Sequence, residues 1–148
     1  MTVTRRPVVE SDTPLLFALY SSTRQEELSL VPWSAAQKQA FLEMQFAGQV
    51  EGYRTTHPGA THEMICLDGR PVGRIYWDLQ PARLHILDIT IAPESRNQGI
   101  GSTVLNQFLG STPVTIYVES FNRSLRLFDR LGFRPISVDG FLVLLERQ

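Results

Sequence analysis

Residues 84–109 constrain this chain more than any other stretch. They read Leu-His-Ile-Leu-Asp-Ile-Thr-Ile-Ala-Pro-Glu-Ser-Arg-Asn-Gln-Gly-Ile-Gly-Ser-Thr-Val-Leu-Asn-Gln-Phe-Leu. Positions 84–91 are mostly β-branched or apolar and stop short of Pro93, which is the pattern of a buried strand. Ile100, Val104, Leu105, Phe108 and Leu109 then fall on one side of a helix, as a sheet-packing helix requires. Two glycines, Gly99 and Gly101, stand where that helix begins. The first turn of a helix presents backbone N–H groups without internal partners at its positive dipole end. Glycine there lets an anion approach those groups, and Arg96 can add a charged donor from the loop.

Two well-known phosphate cradles fit poorly. A P-loop needs Lys after its last glycine, and no Lys follows Gly101. A dinucleotide fingerprint needs a third glycine or alanine, and Val104 occupies that place. The pattern that fits is Arg/Gln-x-x-Gly-x-Gly/Ala between a strand and a helix, here Arg96 to Gly101. A second block follows: Val114-Thr-Ile-Tyr-Val-Glu, then Asn122-Arg-Ser-Leu-Arg-Leu-Phe-Asp-Arg-Leu-Gly-Phe133. Together these blocks resemble the GCN5-related N-acetyltransferase (GNAT) family, clearly over residues 84–133 and by element order over most of the chain.

The bulk composition is compatible with that resemblance. At 148 residues the expectation is one domain, 1–148, large enough to bury a core. A net charge of −1 without long runs of like charge leaves no basic footprint for a nucleic-acid partner. No apolar run is long enough to cross a bilayer and no signal peptide is visible, so the expectation is a cytoplasmic protein without a membrane partner. The single cysteine, Cys66, excludes an internal disulfide and reads as a buried thiol. His57 and His62 lack the carboxylate or cysteine company of a metal site, so no metal is expected.

In chain order, residues 2–9 read as a strand that Pro7 confines to a sheet edge. Asp12 and Pro14 open a helix with an apolar stripe at Leu15, Leu16, Leu19 and Tyr20. Residues 24–30 are polar and ambiguous. Ser34-Ala-Ala-Gln37 is a capping box, opening a second helix that ends before His57. Strands at 61–67 and 71–79 flank an Asp68-Gly69 turn. The central strand at 84–91, the glycine-started helix, its closing turn at 110–113 and the strand at 114–119 follow. A helix from Asn122 to Gly132 and a closing hairpin, 133–138 and 141–146, finish the chain. The order is β-α-α-β-β-β-α-β-α-β-β. The resemblance implies the acyl-CoA N-acyltransferase fold, an α/β (three-layer α+β) domain with a mixed, mostly antiparallel sheet and helices on both faces.

The resemblance also implies the chemistry: transfer of the acetyl group of acetyl-CoA to a primary amine by direct attack. The acceptor is a small molecule or peptide; dimers are frequent in the family, and a homodimer is compatible with the chain. Acetyl-CoA would lie where strand 84–91 splays from strand 114–119. Its pantetheine would meet Ile89, Thr90 and Ile91, and its diphosphate would meet Arg96, Asn97, Gln98, Gly99, Ile100, Gly101 and Ser102. Asn122 and Phe128 belong to the same cofactor-side set. The family's usual proton donor is a Tyr six residues after the Asn, and Phe128 stands there instead. Tyr117 and Ser124 are the nearby hydroxyls. For the base, the family's glutamate position, eleven before the motif, falls on His85; Asp88, Glu119 and water chains are the alternatives. Asp88 faces away from His85 unless a bulge intervenes. Acceptor binding points to Trp33, Gln37 and Phe41, with Gln45 and Tyr53 further along the helix. A different class remains open, because Phe128 also suits an acyl-CoA-binding sensor or scaffold without turnover.

Overall fold

A computed structural model describes residues 1–110 and 112–148. Its core is a seven-stranded sheet in the order β1-β2-β3-β4-β5-β7-β6. The strands are β1 (Val3–Pro7), β2 (Thr61–Leu67), β3 (Arg70–Leu79), β4 (Leu84–Ile91), β5 (Val114–Glu119), β6 (Arg134–Asp139) and β7 (Leu142–Arg147). Only β4 and β5 run parallel; every other neighbouring pair is antiparallel. β1 is an edge strand, as Pro7 requires. The β2–β3 hairpin turns on Asp68 and Gly69, both at positive φ (51° and 83°), which a two-residue turn of this hand demands.

Five helices cover the sheet: α1 (Thr13–Ser22), α2 (Gln25–Ser29), α3 (Ala35–Thr56), α4 (Ile100–Phe108) and α5 (Leu125–Arg130). Strand alternation separates two packing faces. Ile65, Ile75, Ile86, Val114, Ile116 and Val118 bury against Ile100, Val104 and Leu105 of α4 and Phe128 of α5. On the opposite face Met64, Cys66 and Ala92 pack against Leu16 and Leu19 of α1. Tyr20, Leu28 and Leu42 join α1, α2 and α3 into a satellite cluster.

The capping box forms as expected. Ser34 Oγ accepts from the Gln37 amide at 3.1 Å, and Gln37 Oε1 accepts from the Ser34 amide at 2.8 Å. Residues 24–30 resolve into the short helix α2, whose Leu28 is buried. The element order therefore carries one more helix than expected. The closing turn expected over 110–113 includes position 111, which lies outside the described residues.

Asp12 departs from its expected role. Its carboxylate does not cap α1; it accepts the Val9 amide at 2.8 Å and both terminal nitrogens of Arg6 at 2.8 Å. The Arg6 guanidinium, then the Val9 amide, hold the buried Asp12 carboxyl down to about 2 from an ordinary 3.8. A charge already satisfied by a fork and an amide ties β1 to the start of α1 rather than to the helix end. Asp12→Asn is expected to destabilise the fold by about 1–3 kcal/mol at neutral pH. Because the folded-state pKa is depressed, the wild-type advantage is complete above the unfolded value of 3.8 and fades as pH falls toward about 2. Urea titrations of both proteins at several pH values check this.

Candidate active site

The site begins with a divergence. Pairing between β4 and β5 covers only Leu84–Val114, His85–Thr115 and Ile86–Ile116. Beyond Ile86 the two strands separate, and the edge of β4 that faced β5 has no strand partner. On its other side β4 stays paired to β3 up to Ile91, with a register shift where Trp77 faces Ile86 and Tyr76 faces Asp88. Leu87 is thus a bulged residue, and its carbonyl accepts from Tyr53 Oη of α3 at 3.2 Å.

The bulge reverses the alternation downstream. Ile86, Ile89 and Ile91 all pack on the α4 side. His85, Asp88 and Thr90 consequently share the opposite face, where α3 lies. At Gly73 of β3 an added Cβ would lie 2.5 Å from the Thr90 carbonyl oxygen. Glycine there lets the end of β4 lean against β3, away from β5.

At the far end of β4 the chain turns through Ala92–Arg96 into α4. Gly99 is the residue before the helix, in the left-handed region (φ 79°), and Asn97 is also left-handed (φ 63°). The first helical hydrogen bond runs from the Thr103 amide to the Gly99 carbonyl. The amides of Ile100, Gly101 and Ser102 are therefore free at the helix tip. The Ile100 side chain is not part of that surface, because it is 1% exposed in the core. Asn97, Gln98 and Gly99 are exposed. Arg96 Nε donates to the Ile91 carbonyl at 3.1 Å, clamping the loop onto the strand end. Burial, then the like charge of Arg123, holds the Arg96 cation below its usual range. Arg123 is a cation the sequence reading passed over; its only signal was its place beside Asn122. Two guanidinia and three open amides make the loop a fit for a diphosphate.

The remaining candidates scatter. Asn122 Oδ1 accepts from the Ser124 amide (2.8 Å) and hydroxyl (2.7 Å), so its side chain shapes the turn into α5. Phe128 is 2% exposed and packs edge-on against Phe133, ring centroids 5.3 Å apart. It is a core residue and presents no surface to a ligand, contrary to its expected place. Trp33, Gln37 and Phe41 do come together, with Ala40 and Met44, in an open groove of about 480 Å³ along α3. Within it Trp33 and Phe41 pack edge-on at 5.4 Å, and Gln37 holds the helix cap.

His85 is nearly buried at 9% exposure, with Nδ1 2.8 Å from Thr115 Oγ1. Burial, followed by the charges of Arg83 and His57, pushes its pKa below the ordinary 6.5. The His57 ring stacks on it at 6.0 Å and is held by Asp78 at 2.9 Å. Tyr117, exposed on β5 one step past the last β4–β5 pair, packs edge-on to His85 at 5.7 Å. Asp88 is engaged by Arg74 Nε at 2.7 Å and Thr90 Oγ1 at 2.9 Å. Glu119 faces Arg24 of the α1–α2 turn at 3.8 Å. Among the described residues no group of three His, Cys, Asp or Glu could hold a metal, and no helix is long and apolar enough to cross a membrane.

A family model described as the acetyltransferase (GNAT) family matches residues 18–133. The chain belongs to the GNAT acetyltransferase family. Acetyl-CoA-dependent acyl transfer is the general reaction of GNAT proteins. Solved structures share the fold. A PaiA N-acetyltransferase from Thermoplasma acidophilum in complex with coenzyme A has a TM-score of 0.72 at 16% identity, over 100% of this chain and 99% of its own. An acetyltransferase from Thermus thermophilus has a TM-score of 0.70 at 19% identity, over 99% and 97%. A ribosomal-protein-alanine N-acetyltransferase from Brucella melitensis has a TM-score of 0.62 at 18% identity, over 97% and 98%. A search of curated proteins finds no significant match.

The histidine environment is directly measurable. His62, lowered to about 4 by burial and then by Arg74, and His85, lowered below 6.5, are both neutral at physiological pH. Protonating either opposes folding, so their contribution to stability is complete above about 6.5 and shrinks as pH falls below it. A proton NMR titration is expected to give a His62 midpoint near 4 and a His85 midpoint under 6.5.

Proposed function

We propose that this GNAT protein moves the acetyl group of acetyl-CoA onto a primary amine by direct attack, with the reacting centre in the β4–β5 wedge. The reading is carried by one observation: β4 leaves β5 after Ile86 while the same strand runs on into a helix tip with open amides. A diphosphate on Ile100, Gly101 and Ser102 amides, aided by Arg96 and Arg123, would set the pantetheine along the free edge at Ile89, Thr90 and Ile91. The thioester would then reach the face carrying His85 and Tyr117.

The chemistry needs a neutral amine, a donor that polarises the thioester carbonyl, and a proton for the departing thiolate. His85 suits the first need, directly or through water, because it is uncharged at neutral pH and oriented by Thr115. Asp88 and Glu119 suit it less, because each already faces an arginine. Tyr117 supplies a hydroxyl at the wedge mouth and is assigned here as the proton donor, in place of the tyrosine the family keeps at position 128. The acceptor is a small molecule or a peptide amine, and the chain works as one domain.

Calorimetry with CoA and a thiol-release assay over an amine panel test this. Gly101→Glu places a carboxylate at the helix tip, where the nearest atom to an added Cβ is Leu127 Cδ2 at 3.4 Å. It is expected to weaken CoA binding about 100-fold while leaving the fold intact, a loss near 3 kcal/mol. Tyr117→Phe is expected to lower kcat about 100-fold with CoA affinity unchanged. Phe128→Tyr instead buries a hydroxyl in the core and is expected to cost about 1–3 kcal/mol of stability without raising turnover. CoA binding with no thiol release on any amine would favour the non-catalytic acyl-CoA sensor. A gain of activity in Phe128→Tyr would refute the assignment of Tyr117.

A further inference from the structure

A second cavity lies on the α3 face of the sheet, over β2 and β3. It measures about 380 Å³, within the range of about 300–1,000 Å³ usual for small-ligand sites. The β1–α1 connection, α1, α3, β2 and β3 frame it, and among the described residues none of its lining comes from β4 or β5. It adjoins the site assigned above without sharing its strands, since His57 of its lining stacks on His85.

Its inner end is polar in an unusual way. Arg74, 2% exposed, lines the cavity. Its Nε donates to Asp88 and its Nη2 to Gln49 at 2.6 Å, which leaves Nη1 uncommitted among the described residues. His62 sits diagonally across, since His62 pairs with Tyr76 and Met64 with Arg74 in the β2–β3 ladder. The His62 ring stacks flat on Tyr76 (4.2 Å, 14°), and its Nε2 is buried without a hydrogen-bond partner. A buried polar atom in that state calls for a ligand or a water. Burial and the Arg74 charge keep the imidazole neutral, so it can donate one N–H. Glu10, on the exposed rim, is the one carboxylate among the described lining residues; of the two lining arginines, Arg54 pairs with Glu51 and Arg74 with Asp88, both outside the lining. Val9, Leu16, Phe46 and Val50 give the wall an apolar stretch, beside the polar Thr13, Gln49, Tyr53 and His57.

We propose that this cavity binds a small organic carboxylate. The anionic head lies against Arg74 Nη1 and the Nε2–H of His62, and the apolar body lies against Leu16, Phe46 and Val50. A cationic ligand would meet Arg74 at the closed end, and a purely apolar one would leave Nε2 unpartnered. Three lining side chains also touch the wedge strand: Tyr53 bonds the Leu87 carbonyl, Arg74 bonds Asp88 and His57 stacks on His85. The site stands one side chain away from the bulge.

Hexanoate, hexanamide and hexylamine titrated separately into the full chain, without CoA, test the proposal. Hexanoate is expected to bind saturably at or below ~1 mM, hexanamide at least ~10-fold more weakly, and hexylamine not at all. The His62 Hε1 resonance should shift along the hexanoate isotherm. Val50→Trp fills the cavity and is expected to abolish hexanoate binding while CoA still binds. His62→Phe keeps the stack on Tyr76 but removes Nε2, and is expected to weaken hexanoate about 10-fold; it decides the matter if Val50→Trp fails to fold. The proposal is overturned by hexylamine binding as tightly as hexanoate, by no saturable hexanoate binding, or by unchanged binding in either variant. None of these outcomes depends on whether the wedge acetylates an amine.

Discussion

The structure depends on a strand that must serve two neighbours with conflicting demands. β4 has to stay bonded to β3 along its whole length, yet release β5 after three residue pairs. An extra residue at Leu87 reconciles these demands, because a bulge bends one strand without breaking its other ladder. Bulging exposes a carbonyl that would be costly to leave unpaired inside the protein. Tyr53 meets that cost from α3, and the Arg74–Asp88 pair fastens the next residue. Gly73 removes the one Cβ that would keep the end of β4 upright. The core on the α4 side survives the shift, since Ile86 before the bulge and Ile89 after it both reach it.

The same distortion organises the charges. Strict alternation would put His85 and Asp88 on opposite faces; the bulge brings them to one. There the carboxylates are partnered, Asp88 by Arg74 and Glu119 by Arg24, and the neutral His85 stands without a counter-ion, as His62 does. At the far end of β4 the balance reverses. Arg96 and Arg123 raise each other's energy beside a helix tip rich in free amides, which is a surface that an anion relieves. One strand thus runs from a cation-rich helix tip to a face carrying a neutral histidine.

Local signals predicted well where one interaction dominated. The strands at 61–67, 84–91 and 114–119 match the structure residue for residue, because β-branched runs bounded by glycine and proline leave few competing registers. Ser34 and Gln37 form their capping box because both partners lie within one helical turn. Asp12 was misplaced because Arg6, six residues earlier, offers its carboxylate a charged fork stronger than a helix amide. Phe128 occupies a family position, but its own chemistry is apolar and Phe133 packs against it in the core. Arg123 was overlooked because one arginine in a loop carries no periodic signal; its effect on Arg96 exists only through space.

By itself, the sequence determined the family, the strand–glycine–helix junction and the open amides at its tip. Those features are local, set by backbone permissiveness and side-chain period within about a dozen residues. Tertiary structure alone decided which side chains meet. His85 found Thr115 thirty residues away, Tyr53 found Leu87 across the sheet, and His62 came to lie across the ladder from Arg74 in one cavity. Such meetings depend on register, and one bulged residue moves every later side chain to the other face.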